Sequence, residues 1–117
     1  MTPHGAPRNA GAMSDTLSRL ERTIMDRRLA DPETSYVARL TAKGRGKIAQ
    51  KVGEEATETV IAALTQDAKA LTGEAADLLF HLLVLLADSG VALADVLAEL
   101  DAREGVSGIA EKASRKE

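Results

Sequence analysis

Lys51-Val-Gly-Glu-Glu-Ala-Thr-Glu58, answered by Glu74-Ala-Ala-Asp77, is the pair of stretches on which the fold turns. Five carboxylates fall there in two clusters, each with i,i+3 spacing and each inside a run that otherwise reads as helix. Residues three or four apart share one face of a helix. Two antiparallel helices would point both clusters into one space. Carboxylates crowded together do not all ionise without a neutralising partner, so a space lined in this way wants divalent cations.

Upstream of the first cluster, Arg45-Gly-Lys47 leads into a long helix reaching about Thr65. At about 100° per residue, Ile48, Val52, Ala56, Thr59, Val60 and Ala63 form a stripe that faces the core. Lys51, Glu54, Glu55 and Glu58 occupy a neighbouring arc, with Glu55 nearest the stripe and pointing partly inward. The connection across Gln66 to Gly73 is short, which returns the next helix antiparallel. That helix, from about Thr72 to Ser89, is apolar nearly all round, the pattern of a helix buried on every side. Its inner polar residues are Glu74, Asp77 and His81. Buried acids must be paired, protonated or metal-bound. Gly90 suits the C-terminal cap.

Further out, Ser14 is placed to cap a first helix reaching about Ala30, with Leu17, Leu20, Ile24 and Met25 on one face. Asp31-Pro32 breaks it. A second, shorter helix holds Tyr36, Val37 and Leu40 and ends near Gly44, and a last one runs from Val91 to Arg103 with Val96, Leu97 and Leu100 inward. The expected fold is all-α, a bundle of four to five helices over residues 14–104. Residues 1–13 read as a disordered leader without a signal peptide, and 105–117 as a flexible tail.

Composition narrows the functions. With 117 residues the chain is one domain by length, and 44 % apolar residues with one Phe, one Tyr and no Trp build a core from aliphatic side chains. Net charge −3 gives no support for a nucleic-acid partner. Without cysteine there is neither a disulfide framework nor a thiolate ligand or nucleophile. The apolar run Leu78 to Ala87 is too short to span a bilayer, so no membrane partner is expected and the protein reads as cytoplasmic.

Glu54, Glu55 and Glu58 have a bland reading as a solvated acidic face. Against it, Glu54 and Glu58 are like charges at i,i+4, which destabilise a helix unless something neutralises them. An all-oxygen ligand set favours Mg²⁺ or Mn²⁺ over Zn²⁺, and Mg²⁺ is commonly shared with substrate phosphates. Lys43, Arg45, Lys47 and Lys51 stand close by, and Lys47 and Lys51, at i,i+4, are candidates for phosphate contact. His81 is either a substrate or supporting contact or a satisfied core histidine. No Ser-His-Asp or Cys-His arrangement is present, which leaves a metal-activated water as the nucleophile, suited to a phosphoanhydride.

These residues resemble the phosphoribosyl-ATP pyrophosphatases of histidine biosynthesis, within the all-α MazG-type nucleoside triphosphate pyrophosphohydrolases. The superfamily pattern E-E-x-x-E and E-x-x-D is met by Glu54-Glu55-Ala-Thr-Glu58 and Glu74-Ala-Ala-Asp77. The narrower likeness rests on Ser35-Tyr36 with Leu40, on Ile48 to Glu55, and on Glu74 to Leu86. Val37 departs from it, since many relatives carry Thr there. The resemblance implies hydrolysis of phosphoribosyl-ATP to phosphoribosyl-AMP and pyrophosphate. It implies Glu55, Glu58, Glu74 and Asp77 as Mg²⁺ ligands, Glu54 as a further ligand or water-orienting base, and Lys51 and Lys47 on phosphate. It also implies a homodimer whose helices complete the bundle. A house-cleaning NTP or dUTP pyrophosphatase with the same metal site is the enzyme alternative, and a non-catalytic helical dimerisation module is the alternative of another class.

Overall fold

The computed structural model describes the backbone of residues 6–104 and the side chains from Asp15 to Glu104. Five helices and no strand make up the described residues: α1 (Ala6–Arg27), α2 (Tyr36–Lys43), α3 (Arg45–Thr65), α4 (Ala68–Ser89) and α5 (Leu93–Glu104). The expected all-α class therefore holds. The first five residues of the expected leader and the whole of the expected tail, 105–117, lie outside the described residues.

α3 and α4 form an antiparallel hairpin joined only by Gln66 and Asp67. Asp67 caps α4, its side chain accepting from the Ala70 N–H at 2.9 Å, so α4 begins a full turn ahead of the Thr72 start expected from hydropathy. That cap is a local hydrogen bond, which an apolar period does not report. α4 consequently contains the apolar run within 22 residues, long and apolar enough by composition to cross a membrane. Its flank against α3 nevertheless carries Glu74 and His81, and the hairpin packs as part of the bundle.

Gly44 serves both α2 and α3. Its φ of 101° lies where an L side chain is strained, and it ends one helix and starts the next in a single residue. At the other end of the hairpin Gly90 adopts a left-handed conformation at φ 73°, with its N–H donating to Ala87 O and that of Val91 to Leu86 O. This closes the C-terminus of α4 as Ser89-Gly90 foretells.

The core is one cluster at the Gly44–Gly90 end of the hairpin. Ile24 of α1, Val37 and Leu40 of α2, Ile48 of α3, Val84 of α4 and Leu93 of α5 meet there. Ile24, Ile48 and Val84 are the largest fully buried side chains, each contributing about 1.5–3 kcal/mol by removal from water. Asp88 ties the same end together: Arg28 Nη2 donates to Oδ1 at 2.9 Å, and Arg45 Nε to Oδ2 at 2.9 Å. Arg45 Nη2 also donates to the Asp88 carbonyl at 2.8 Å, satisfying one of the last carbonyls of α4. Arg45 thus belongs to the scaffold rather than to the cations free for a phosphate.

Five expectations shift. α1 begins at Ala6 and runs through Ser14, because Pro7 is tolerated in a first turn and Ala10, Ala12 and Met13 favour helix. Met25 is exposed although Leu17, Leu20 and Ile24 do face the core. On α5 the inward side is Leu93 and Leu97, while Leu100 is exposed. On α3 the buried line is Ile48, Glu55 and Ala62, with Val60 outside it, so the stripe is rotated onto Glu55. α4 is not covered on every side either, since Leu79 is exposed in the single chain.

Candidate metal centre

Because α3 and α4 run antiparallel, their two acidic motifs face each other midway along the hairpin. One carboxylate oxygen from each of Glu55, Glu58 and Glu74 lies within 4.8 Å of the others. Glu55 is buried at the centre of the α3 contact line, Glu74 is half-buried on α4, and Glu58 is exposed at the mouth. Glu55 Oε1 and Glu74 Oε1 are shut off from solvent and have no hydrogen-bond partner. Buried polar oxygens of a folded protein are nearly always satisfied, so two orphans within one acidic cluster make it a place that could bind a cation.

The electrostatics agree. The Glu74 carboxyl is pushed above the usual glutamate range, first by desolvation, then by a hydrogen bond to and repulsion from Glu58, and by the charges of Glu55 and Asp77. Three hard oxygen donors and no nitrogen or sulfur suit Mg²⁺ or Mn²⁺. The group fits these residues.

The remaining expected residues flank this triad. Asp77, one turn along α4, is exposed and outside the trio, although its charge bears on Glu74. This corrects the sequence expectation of a buried Asp77. Glu54 is also exposed, held by Gln50 Nε2 at 2.8 Å and by Lys51 Nζ at 3.5 Å. Its pKa is lowered first by the Gln50 hydrogen bond, against desolvation, and then by Lys51 and the charge of Lys47. Lys51 reaches Glu55 Oε2 at 3.7 Å as well, so its ammonium stands at the rim of the triad. Lys47, one turn earlier on α3, is half-buried.

His81 is buried and uses both ring nitrogens within the protein. Nδ1 lies 2.8 Å from the Asp77 carbonyl and Nε2 2.8 Å from the Tyr36 hydroxyl. That is the satisfied core histidine of the two sequence readings. Contact with a ligand through either nitrogen would require one of these bonds to be given up. Tyr36 and Phe80, the chain's single Tyr and Phe, stack at 6.1 Å and 28°, with His81 edge-on to both. Sequence spacing did not place Tyr36 at the site. Its bond to His81 spans 45 residues, which no local pattern reports.

A separate cleft of about 360 Å³ opens between α1 and the α4–α5 turn, lined by Glu21, Met25, Ala87, Gly90, Val91 and Ala92. It shares no residue with the carboxylates. Glu21 in its wall accepts from the Leu93 N–H at 2.8 Å and so starts α5.

A family profile for phosphoribosyl-ATP pyrophosphohydrolase matches residues 17–104. The chain is 70 % identical over 103 residues to the phosphoribosyl-ATP pyrophosphatase of Rhizorhabdus wittichii, covering 88 % of this chain and 97 % of that protein. It is 69 % identical over 101 residues to the enzyme of the same name from Novosphingobium aromaticivorans, with 86 % and 94 % covered. A third, from Zymomonas mobilis, is 61 % identical over 101 residues, with 86 % and 94 % covered.

Proposed function

The chain belongs to the phosphoribosyl-ATP pyrophosphohydrolase family, and from that premise we propose that it hydrolyses phosphoribosyl-ATP to phosphoribosyl-AMP and pyrophosphate in histidine biosynthesis. One observation carries the chemistry: two water-excluded carboxylate oxygens, Glu55 Oε1 and Glu74 Oε1, lack a partner in a cluster whose three glutamates each bring an oxygen within 4.8 Å of the others. Glu55, Glu58 and Glu74 would hold Mg²⁺, with Asp77 joining from the adjacent turn. Bound there, the ion would polarise a phosphoryl oxygen and lower the pKa of a water.

The chain's own groups do the rest. Lys51 at the rim, and Lys47 behind it, offset the charge that spreads over the phosphoryl oxygens as the phosphoanhydride breaks. Lys51 is half-buried beside Glu55 and its pKa is raised, so exchanging that carboxylate for a phosphate changes its partner and not its charge. Glu54, exposed and ionised beside Lys51, takes the proton of the attacking water from the mouth of the site. The α–β phosphoanhydride breaks in one of two ways: attack at the α-phosphorus puts the water oxygen on phosphoribosyl-AMP and the bridging oxygen leaves with pyrophosphate, and attack at the β-phosphorus does the reverse.

We further propose that the working unit is a homodimer in the cytoplasm, without a nucleic-acid or membrane partner. The half of the hairpin beyond the core leaves Val60, Ile61, Leu64 and Leu79 exposed, at 57 %, 47 %, 78 % and 48 %. A second hairpin of the same kind would cover them and complete a four-helix arrangement. Sedimentation of the wild type and of Leu64→Lys tests this: a dimer that becomes a monomer supports it, a wild-type monomer sinks it.

The function itself is tested by pyrophosphate release from phosphoribosyl-ATP, with Mg²⁺ and with chelator, for wild type and Asp77→Ala. Fast Mg²⁺-dependent release that falls in the variant supports both the reaction and the α4 motif. Faster cleavage of free dUTP than of phosphoribosyl-ATP would move the protein to the house-cleaning enzymes.

A further inference from the structure

His81 follows Glu74 by seven residues on α4, about 20° short of two full turns, so the two side chains share one face of the helix about 10 Å apart along its axis. That separation is about the reach of a nucleoside from its 5′-phosphate. The group bound at that point is Tyr36, whose hydroxyl lies 2.8 Å from His81 Nε2.

Tyr36 is held at three points. The buried Ser35 side chain accepts from the Ala38 N–H at 3.1 Å, which sets the first turn of α2 and with it the Tyr36 backbone. The ring packs on Phe80 at 6.1 Å and 28°. The hydroxyl is engaged by His81: the Asp77 carbonyl only accepts, so Nδ1 at 2.8 Å from it carries the proton, and in the neutral ring the bare Nε2 accepts from Tyr36. Even so, Tyr36 is 41 % exposed. The Arg39 guanidinium, tied to the Pro32 carbonyl at 2.8 Å, borders the ring at 6.0 Å from its centroid without covering it. What Tyr36 has left for a ligand is the ring rather than the hydroxyl. An aromatic surface that is open yet already immobilised loses little freedom when a flat base lies on it.

We propose that Tyr36 is a substrate-binding residue: its open ring is the platform on which the purine of phosphoribosyl-ATP stacks while the phosphoanhydride lies at Glu55, Glu58 and Glu74. His81 and Phe80 are the supports that keep the ring at its place on the flank of α4. This rests on the reading of those glutamates as the phosphoanhydride site. It also narrows the substrate, since a phosphoanhydride without a base has nothing to lay on the platform.

The chain has one tyrosine and no tryptophan, so its intrinsic emission comes from Tyr36 alone. The full-length protein, excited on the red edge of tyrosine absorption where adenine absorbs little, is titrated with phosphoribosyl-AMP and separately with pyrophosphate, both with saturating Mg²⁺. Quenching by the nucleotide and not by pyrophosphate is expected. Equal quenching by both, or none by the nucleotide (the outcome for a ring covered by a second copy of the chain), would overturn the proposal. Steady-state hydrolysis gives an independent reading. Tyr36→Leu should raise the KM for phosphoribosyl-ATP about tenfold, the loss of one base stack, with kcat within about twofold and inhibition by pyrophosphate unchanged. Tyr36→Phe, which keeps the ring, should recover most of that loss. A loss in Tyr36→Phe equal to that in Tyr36→Leu, or pyrophosphate inhibition weakened in step with KM, would make Tyr36 structural and end the proposal. Wild type that is quenched by the nucleotide but hydrolyses no phosphoribosyl-ATP would sink the reaction and leave the platform standing; hydrolysis without quenching would sink the platform alone.

Discussion

The hairpin carries two acidic places, and they are opposites. At its core end Asp88 is surrounded by Arg28 and Arg45, both at 2.9 Å, and its carboxyl is held low, chiefly by the Arg45 hydrogen bond and then by Arg28, against desolvation. Midway along, Glu55, Glu58 and Glu74 face one another with two oxygens unpartnered, and Glu74 is pushed high. One acid is answered by the chain itself. The other set has Lys51 at its rim, keeps two oxygens unpartnered, and could bind a metal ion. A satisfied carboxylate holds helices together, whereas an unsatisfied buried cluster is a strain that only a ligand relieves.

Substitutions should separate the two places, beginning with the largest effect. Glu74→Gln is expected to lower hydrolysis by about a thousandfold, the loss of one ligand from charge stabilisation at a phosphoryl centre. The metal-free variant should unfold at the same temperature as wild type or higher, because repulsion among the glutamates is relieved. A variant that lost activity and stability together would make Glu74 structural and erase the contrast. Next, Mg²⁺ at a hundred times its dissociation constant should stabilise wild type by about 2.7 kcal/mol, and Glu74→Gln far less. Thermal unfolding with and without the ion reads this directly.

Asp88→Ala should behave in the reverse sense. It is expected to reduce stability by about 2 kcal/mol, from lost hydrogen bonds to charged groups tempered by partial exposure of Arg45, while kcat below the unfolding range stays near wild type. Denaturant titration and activity on one preparation check both halves.

The smallest difference is in pH. Asp88 has a lowered pKa in the fold, so its contribution is present above the ordinary aspartate value and is lost as the pH falls through the lowered one. Glu74 has a raised pKa, so the folded, metal-free chain binds its proton more tightly than the unfolded chain does. Stability should decline as the pH rises from the ordinary glutamate value through the raised one. Stability curves of Asp88→Ala and Glu74→Gln against wild type should therefore deviate with opposite slopes, and parallel curves would remove the distinction.

How much of this was legible in the sequence depends on distance along the chain. α2, α3 and the end of α4 follow from local signals: Ser35, Gly44 and Gly90 sit where caps belong, and the helices end there. The facing glutamates were legible because i,i+3 spacing on two helices with a short turn leaves little freedom. Asp88 was not, since its partners lie 60 and 43 residues away and nothing local announces them. Glu55 was expected at the edge of the α3 stripe and is at its centre. A hydrophobicity pattern places a carboxylate outside, and only the opposing acids of α4 explain why it faces in. Val60 and Leu79 were expected to be covered, and within one chain they are not. The apolar period records what a surface needs, not which molecule provides it.

The two-residue link between α3 and α4 also bears on the order in which the molecule assembles. The facing glutamates belong to one sequence-local unit, whereas Ile24 and Leu93 reach the core from far along the chain. Closing a short loop loses little chain entropy, so the hairpin is expected in the folding transition state, with α1 and α5 docking afterwards. Ala62→Gly, inside the hairpin, should then slow refolding, and Leu93→Ala should mainly hasten unfolding. Stopped-flow rates showing the reverse would place the nucleus elsewhere. If the order holds, the repulsion among Glu55, Glu58 and Glu74 opposes folding at its first committed step, and a cation present at that moment would accelerate it.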